Sequence, residues 1–150
     1  WTIVPFGLES DNAETGTIHR LWNRRQCTYF NGASNISQAG GLMALSEEGR
    51  KECRTLVDYY LGNAAIIKEG LEKAGLVCYG GVNSPYVWAK APRGMGSWEF
   101  FDFLLEKAHV VVTPGEGFGK SGEGYVRVSS YGHREDVEKA VKAIVEHIND

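Results

Sequence analysis

Apolar residues recur along this chain with two periods, and the order of those periods predicts most of the fold. After Ser46 they return every three or four positions as far as Leu71, which predicts one long amphipathic helix that Gly75 ends. Two short hydrophobic runs, 76–79 and 86–90, come next and are bounded by glycine, asparagine and proline. Runs bounded in this way are typical of strands.

The rest of the chain continues this alternation of helix and strand. We expect Ser97 to cap a helix, the valines at 110–112 to form a strand that enters a glycine-rich loop, and residues 125–129 to form the strand that leaves it. A final helix follows, with one apolar stripe made of Val137, Val141, Ile144, Val145 and Ile148. The order helix, strand, strand, helix, strand, strand, helix predicts an α/β fold: a two-layer unit with a mainly antiparallel sheet.

The first 45 residues follow a different pattern. Residues 1–5 predict a buried strand, and residues 17–25 predict a short helix. Asn31-Gly32 is a turn dipeptide, after which Ser34 or Asn35 can cap a helix that ends near residue 45. Because a strand of the central type stands at the very start of the sequence, we expect the chain to be the C-terminal piece of a longer polypeptide.

Composition and charge narrow the classes of function. The chain has 150 residues, of which 43% are hydrophobic and 23% charged, and a net charge of −3. Such a chain lacks the basic surplus typical of nucleic-acid-binding proteins, and no apolar run approaches the length of a membrane span. The three cysteines are widely spaced and form no zinc motif or disulfide framework, which suits a reducing compartment.

The strand at 125–129 places one candidate for chemistry. Its alternation puts Val126 and Val128 on the core face and turns Arg127 to the other face. An arginine there can bind a carboxylate or a phosphate with two parallel hydrogen bonds, although a plain surface arginine remains the alternative. The glycines before it fit parts of nucleotide-binding motifs, but those motifs require a helix after the loop, and a strand follows here.

No catalytic group can be assigned from spacing alone. The four histidines are scattered along the chain, and none has a nucleophile or a pair of carboxylates at a readable distance: His19, His109, His133 and His147. The residues by themselves therefore predict an α/β domain with a candidate anion receptor at Arg127, and no metal site.

Several segments resemble a known enzyme family. TPGEGFG at 113–119 and GYVRVS at 124–129 resemble the C-terminal signature of the pyridoxal-phosphate-dependent aminotransferases of fold type I. A narrower resemblance is to those members that interconvert tetrahydrodipicolinate and LL-diaminopimelate, and it covers essentially the whole chain. The segments that support it are 1–5, 30–34, 79–88 and 97–101.

The resemblance implies a division of the chain and a role for two residues. Residues 1–45 would finish the large cofactor-binding domain, and residues 46–150 would form the small C-terminal domain. Arg127 would hold the α-carboxylate of an amino-acid or 2-oxo-acid substrate. Asn31 would contact substrate and the cofactor, pyridoxal 5'-phosphate, in the active site of the other subunit of a homodimer.

The implied reaction moves an amino group from glutamate to tetrahydrodipicolinate, which yields LL-diaminopimelate and 2-oxoglutarate in lysine biosynthesis. The implied compartment is the cytoplasm, or the plastid stroma in a plant or alga. The Schiff-base lysine of the family lies before Trp1, so we expect the 150-residue piece alone to be inactive.

Two alternatives stay open at this point. One is a non-catalytic α/β domain that binds a small carboxylate through Arg127, and the other is an aminotransferase of the same fold with another amino donor. Lys120 departs from the family pattern, which leads us to expect an uncharged residue at that position.

Overall fold

The computed structural model describes residues 3–148 and divides the chain into two compact units, one up to Ser46 and one from Glu47. The first unit contains two helices, α1 (Thr17–Tyr29) and α2 (Asn35–Leu45). Ser34 caps α2, because its hydroxyl accepts the Ser37 amide at 3.2 Å. The predicted start of α2 is therefore confirmed.

Helix α1 is longer than its pattern predicts. It begins at Thr17 as expected and runs to Tyr29, four residues beyond the expected end near residue 25. The Thr28 hydroxyl donates to the Arg24 carbonyl at 2.7 Å, so this polar side chain is satisfied inside the helix. A threonine that bonds in this way does not end a helix.

The strand predicted for residues 1–5 is wrong for the part that the structure describes. Ile3, Val4 and Pro5 are irregular, and Ile3 is 73% exposed. A strand needs a neighbour to complete its hydrogen bonds. The described residues of the first unit offer only an isolated bridge between Ser10 and Ala13. Trp1 and Thr2 lie outside the described residues.

The second unit has the predicted order of elements. The elements are α3 (Glu47–Lys73), β1 (Cys78–Gly80), β2 (Tyr86–Lys90), α4 (Ser97–Phe103), β3 (Thr113–Pro114), β4 (Tyr125–Ser129) and α5 (Arg134–Ile148). Short 3-10 turns occupy parts of the connections. The four strands form one sheet in the order β1-β2-β4-β3, and every neighbouring pair is antiparallel, which confirms the two-layer α/β prediction.

Helix α3 ends as its sequence predicts. Gly75 adopts a φ of 87°, a left-handed conformation that glycine reaches without strain. Its amide donates to the Glu72 carbonyl at 3.0 Å, and the Leu76 amide donates to the Leu71 carbonyl at 3.1 Å. This pair of bonds is a Schellman motif, which satisfies carbonyls that the helix end leaves open.

One face of the sheet forms the core with the helices. Val87, Ala89 and Val126 are almost fully buried on that face. They belong to one cluster with Ala64, Ile67, Leu71, Phe100, Leu104, Val137 and Ile144 from the helices. Helices α3 and α5 approach closely at Gly70, where an added Cβ would overlap the Val141 side chain. The opposite face of the sheet carries aromatic and polar side chains instead.

Two local predictions in the second unit need correction. The strand expected at the valine run 110–112 begins only at Thr113, because β3 pairs with β4 over just two residues. Val110 is taken up by the preceding turn, where its amide donates to the Leu104 carbonyl at 3.1 Å. The cap of α4 is Gly96 and not Ser97, whose side chain turns into the protein.

Cys78 is a half-buried thiol on β1, and its chemistry follows from that position. Burial raises its pKa from an ordinary 9.0 to about 11, with a further contribution from Glu72. The thiolate is the reactive form, so at pH 8 we expect alkylation of Cys78 to be about 100-fold slower than that of an unperturbed thiol. Time-resolved iodoacetamide labelling with peptide mass analysis checks this against the exposed Cys27 and Cys53. Equal rates at all three positions would contradict it.

Within residues 3–148 no helix combines the length and the apolar content needed to cross a bilayer.

Candidate carboxylate site

Arg127 lies in the middle of β4, on the face of the sheet that points away from the core. It is the direct cross-strand partner of Trp88, and Tyr86 sits two residues further along β2 on the same face. The guanidinium carbon lies over the Tyr86 ring at 4.3 Å from the centroid and over the Phe118 ring at 4.4 Å. Two aromatic rings thus hold the charged group by cation–π contacts.

The Arg127 guanidinium has no carboxylate partner in the described part of the chain. The ion pairs there link residues within α3 or within α5, and none includes Arg127. Its Nε atom is buried and has no hydrogen-bond partner. A partly desolvated cation without a counterion favours an incoming anion, and a planar fork of donors favours a carboxylate or a phosphate.

Phe118 reaches Arg127 from a loop whose two ends touch. Gly115 and Gly122 pack backbone to backbone, and a Cβ at either glycine would overlap the carbonyl of the other. Gly119, next to Phe118, has a φ of 116°, in the region that favours glycine. We call residues 115–122 the glycine loop. Its glycines close the loop and turn Phe118 toward the sheet. Their spacing therefore serves the path of the backbone.

Ser97, at the start of α4, fastens the glycine loop to the rest of the unit. Its hydroxyl donates to the Gly122 carbonyl at 3.1 Å and accepts the Tyr125 amide at 3.3 Å. The Glu123 carboxylate accepts the Ser97 amide at 3.1 Å. A carboxylate is favourable at the positive end of a helix, so this bond also stabilises the first turn of α4.

Replacing Ser97 with alanine is therefore expected to lower the free energy of unfolding by about 1–3 kcal/mol, because a partly buried amide and a partly buried carbonyl each lose a partner. Urea denaturation followed by circular dichroism measures this. Ser121, which is exposed on the same loop, provides the matched control, and its alanine variant should change stability by less than about 0.5 kcal/mol. Equal stability of the two variants would argue against the fastening role of Ser97.

A shallow recess lies beside Phe118 on the same face of the sheet. Its volume is about 390 Å³, and its lining includes Tyr79, Trp88 and Tyr125. The Trp88 and Phe118 rings meet edge to face at 5.3 Å. Phe118 thus lines the recess together with Trp88 and also contacts the Arg127 guanidinium.

Tyr86 is supported by a line of further rings. Tyr131 meets it edge to face at 5.7 Å, and Tyr60 of α3 meets Tyr131 at 4.8 Å. The Tyr86 side chain is the main influence that raises the pKa of Tyr131 above its ordinary value. The Tyr86 ring, which contacts Arg127, is therefore connected to helix α3 through Tyr131.

Asn31, the second predicted binding residue, belongs to the first unit. It lies in the short connection between α1 and α2 and is exposed. Gly32 after it has a φ of 97°, as the turn dipeptide predicts. The Asn31 carboxamide can both donate and accept hydrogen bonds.

The lysines of the chain have surface environments. Five of them form ion pairs with carboxylates on their own helix: Lys51, Lys68, Lys73, Lys139 and Lys142. Lys90, Lys107 and Lys120 are exposed. A Schiff-base lysine needs a desolvated or otherwise activated amine, and none of these positions provides one.

The sequence pattern predicts a binding role for Arg127 but not for Tyr86 or Phe118. The strand alternation contained a signal for Tyr86, since it placed Tyr86 and Trp88 on one face of β2. Phe118 stands between Gly117 and Gly119, an unusual place for a large apolar residue in a loop. That context marked it as a side chain with a partner, but it did not identify the partner.

The chain matches one family of enzymes. A family model described as aminotransferase class I and II matches residues 17–144. The match spans most of the chain, which therefore belongs to the class I and II aminotransferases. These enzymes use pyridoxal phosphate and small-molecule substrates.

Within that family the similarity is to LL-diaminopimelate aminotransferases. The chain is 51% identical to the one from Prochlorococcus marinus strain NATL2A over 146 residues, which are 97% of this chain and 36% of that protein. It is 49% identical to the one from Bacteroides fragilis, over 96% of this chain and 36% of that protein. A solved structure, L,L-diaminopimelate aminotransferase from Chlamydomonas reinhardtii, superposes with a TM-score of 0.84 at 44% identity and covers 96% of this chain and 35% of that one.

These comparisons confirm the predicted family. The chain spans about a third of the length of the relatives that it matches.

Proposed function

We propose that the chain is the C-terminal part of an aminotransferase that interconverts tetrahydrodipicolinate, glutamate and water with LL-diaminopimelate and 2-oxoglutarate. The observation that supports this most directly is the Arg127 guanidinium, which two rings hold and which no carboxylate of the described chain neutralises. Every substrate of this reaction has a carboxylate on the carbon that bears its reacting amino, imino or oxo group. The similarity to LL-diaminopimelate aminotransferases supports the choice of substrate.

In this proposal Arg127 binds the substrate α-carboxylate through two parallel hydrogen bonds. Such a clamp fixes the direction of the bonds at the α-carbon, and fixed orientation accounts for much of the rate gain in reactions of this kind. Phe118 and Tyr86 exclude water from the faces of the guanidinium, which strengthens its attraction for the carboxylate. The chain's contribution is therefore to bind and orient the substrate.

Pyridoxal phosphate, when bound, supplies the electron sink that stabilises negative charge at the α-carbon. The residues present fit a minor share of its site: the exposed Asn31 carboxamide can hydrogen-bond to a group on the cofactor and to substrate. Because no lysine of the chain has the environment of a Schiff-base lysine, that residue has to come from elsewhere in the enzyme.

The proposal extends to organisation. Residues 1–45 would complete the large cofactor domain, residues 46–150 would form the small domain, and Asn31 would act in the active site of the second subunit of a homodimer. The enzyme would work in the cytoplasm, or in the plastid stroma of a plant or alga.

The test begins with the intact mass and the visible spectrum of the native protein. A mass well above 16.5 kDa with a yellow chromophore that borohydride bleaches, together with formation of glutamate from LL-diaminopimelate and 2-oxoglutarate, is the expected result. The purified 150-residue piece should show no turnover. A colourless protein without that activity would overturn the proposal, and preference for another donor would reassign the substrate within the family.

A second candidate is a non-catalytic domain that binds a small carboxylate at Arg127. The Arg127 guanidinium, which contacts two rings and whose buried Nε atom has no hydrogen-bond partner, would suffice for this binding. This candidate predicts a native mass of 16.5 kDa and calorimetric binding of a dicarboxylate by the piece alone.

A further inference from the structure

We propose that Phe118 is a positioning residue for substrate binding, because it completes with Tyr86 an aromatic clamp that holds the Arg127 guanidinium ready for a carboxylate. This inference deepens the proposed function and rests on it. Neither ring offers a hydrogen bond to the guanidinium at these positions, so neither competes with the substrate for the donors of Arg127. The clamp fixes the cation and leaves its hydrogen-bonding capacity free.

The geometry supports a clamp more than incidental packing. The guanidinium carbon is almost equally distant from both ring centroids, at 4.3 Å from Tyr86 and 4.4 Å from Phe118. An arginine on a sheet face usually gains a carboxylate partner or a solvated position. Here the Nε atom is buried and unpaired, and no ion pair of residues 3–148 includes Arg127.

The two rings of the clamp have different supports. Tyr86 belongs to a paired strand and packs on Tyr131, so it is fixed by the fold. Phe118 belongs to the glycine loop, is 51% exposed, and packs on Trp88. Phe118 is thus the member of the clamp that a substitution can remove without disturbing the core.

The experiment uses the full-length enzyme that contains this chain. Phe118→Leu keeps an apolar side chain but removes the ring, and Phe118→Tyr keeps the ring. For Phe118→Leu we expect the KM for LL-diaminopimelate and for 2-oxoglutarate to rise about 3- to 30-fold, the range of a lost cation–π contact, with a smaller change in kcat. Phe118→Tyr should keep the KM for each of the two substrates within twofold of the wild-type value.

A second readout does not depend on turnover. The dissociation constant of glutarate, a dicarboxylate without an amino or oxo group, should rise by the same factor in calorimetry with Phe118→Leu. The matched control is Trp98→Leu, which removes a ring of similar exposure, 56%, from α4. It should leave KM and the glutarate constant unchanged.

The outcomes separate this inference from the proposed function. If the wild-type enzyme does not use LL-diaminopimelate or any other amino donor, the proposed function is wrong and the role of the clamp falls with it. If the wild type is active but Phe118→Leu keeps both constants within twofold, or if Trp98→Leu raises them equally, only the inference about Phe118 is wrong.

Discussion

Replacing Arg127 with lysine in the full-length enzyme is expected to lower kcat/KM for LL-diaminopimelate by about 30- to 900-fold, which corresponds to a loss of roughly 2–4 kcal/mol of carboxylate recognition. A lysine retains the charge, so the loss measures what the planar fork adds. The ammonium cannot form two parallel bonds to one carboxylate. It also lacks the flat face that lies over the Tyr86 and Phe118 rings in the structure.

Steady-state kinetics with both substrates check this expectation. The chain offers a matched control in Arg134, the first residue of α5. Its guanidinium carbon lies 5.1 Å from the centroid of the Tyr59 ring. Arg134→Lys makes the same chemical change away from β4 and should alter kcat/KM by less than twofold. An Arg127→Lys enzyme with unchanged KM and kcat would refute the assignment of Arg127.

Replacing Asn63 with leucine is expected to lower the free energy of unfolding by about 2–5 kcal/mol. Asn63 is fully buried in α3. Its amide donates to the Ser130 carbonyl at 3.0 Å and to the Gly132 carbonyl at 2.9 Å, just after β4. Leucine has a similar volume but no donor, so two carbonyls beneath the helix lose their partners.

Urea denaturation of the wild type and the variant gives the free-energy difference. Asn83→Leu, at an exposed turn position in the same unit, is the control and should stay within about 0.5 kcal/mol of the wild type. If both variants are equally stable, the two hydrogen bonds of Asn63 contribute nothing net to stability. The same bonds hold the segment that includes Tyr131, so the variant should also loosen the support of Tyr86.

Local patterns predicted the elements whose causes are local. The alternation of β4 placed Val126 inward and Arg127 outward, because successive side chains of a strand point to opposite faces. The end of α3 followed from Gly75, whose left-handed φ suits glycine above other residues. Each conclusion depended on neighbours within a few positions.

Other features depend on contacts between residues far apart in the chain, and local sequence patterns do not reveal such contacts. Ser97 has the residue type of a cap, yet its hydroxyl is used by Gly122 and Tyr125, which lie 25 and 28 positions away. Asn63 is one of many polar residues on α3, and only the fold brings it beside Ser130. A side chain chooses among possible partners only once the fold brings them together.

The same limit applies to the candidate site. Arg127 was identified because one residue type on one strand face has an evident chemistry. The contribution of Phe118 needed the path of the glycine loop, and the contribution of Tyr86 needed the register of β2 on β4. The residues with direct chemistry are thus easier to find than those that position them.

The contact between Gly115 and Gly122 makes the candidate site sensitive to two residues that have no side chain. A Cβ at either glycine would overlap the carbonyl of the other, so a side chain at position 115 or 122 would push the two ends of the loop apart. Phe118 lies between these ends and contacts Arg127, so the substitution would displace an aromatic ring of the site while the strands stay paired. The shape of the site therefore depends on positions that carry no functional group of their own.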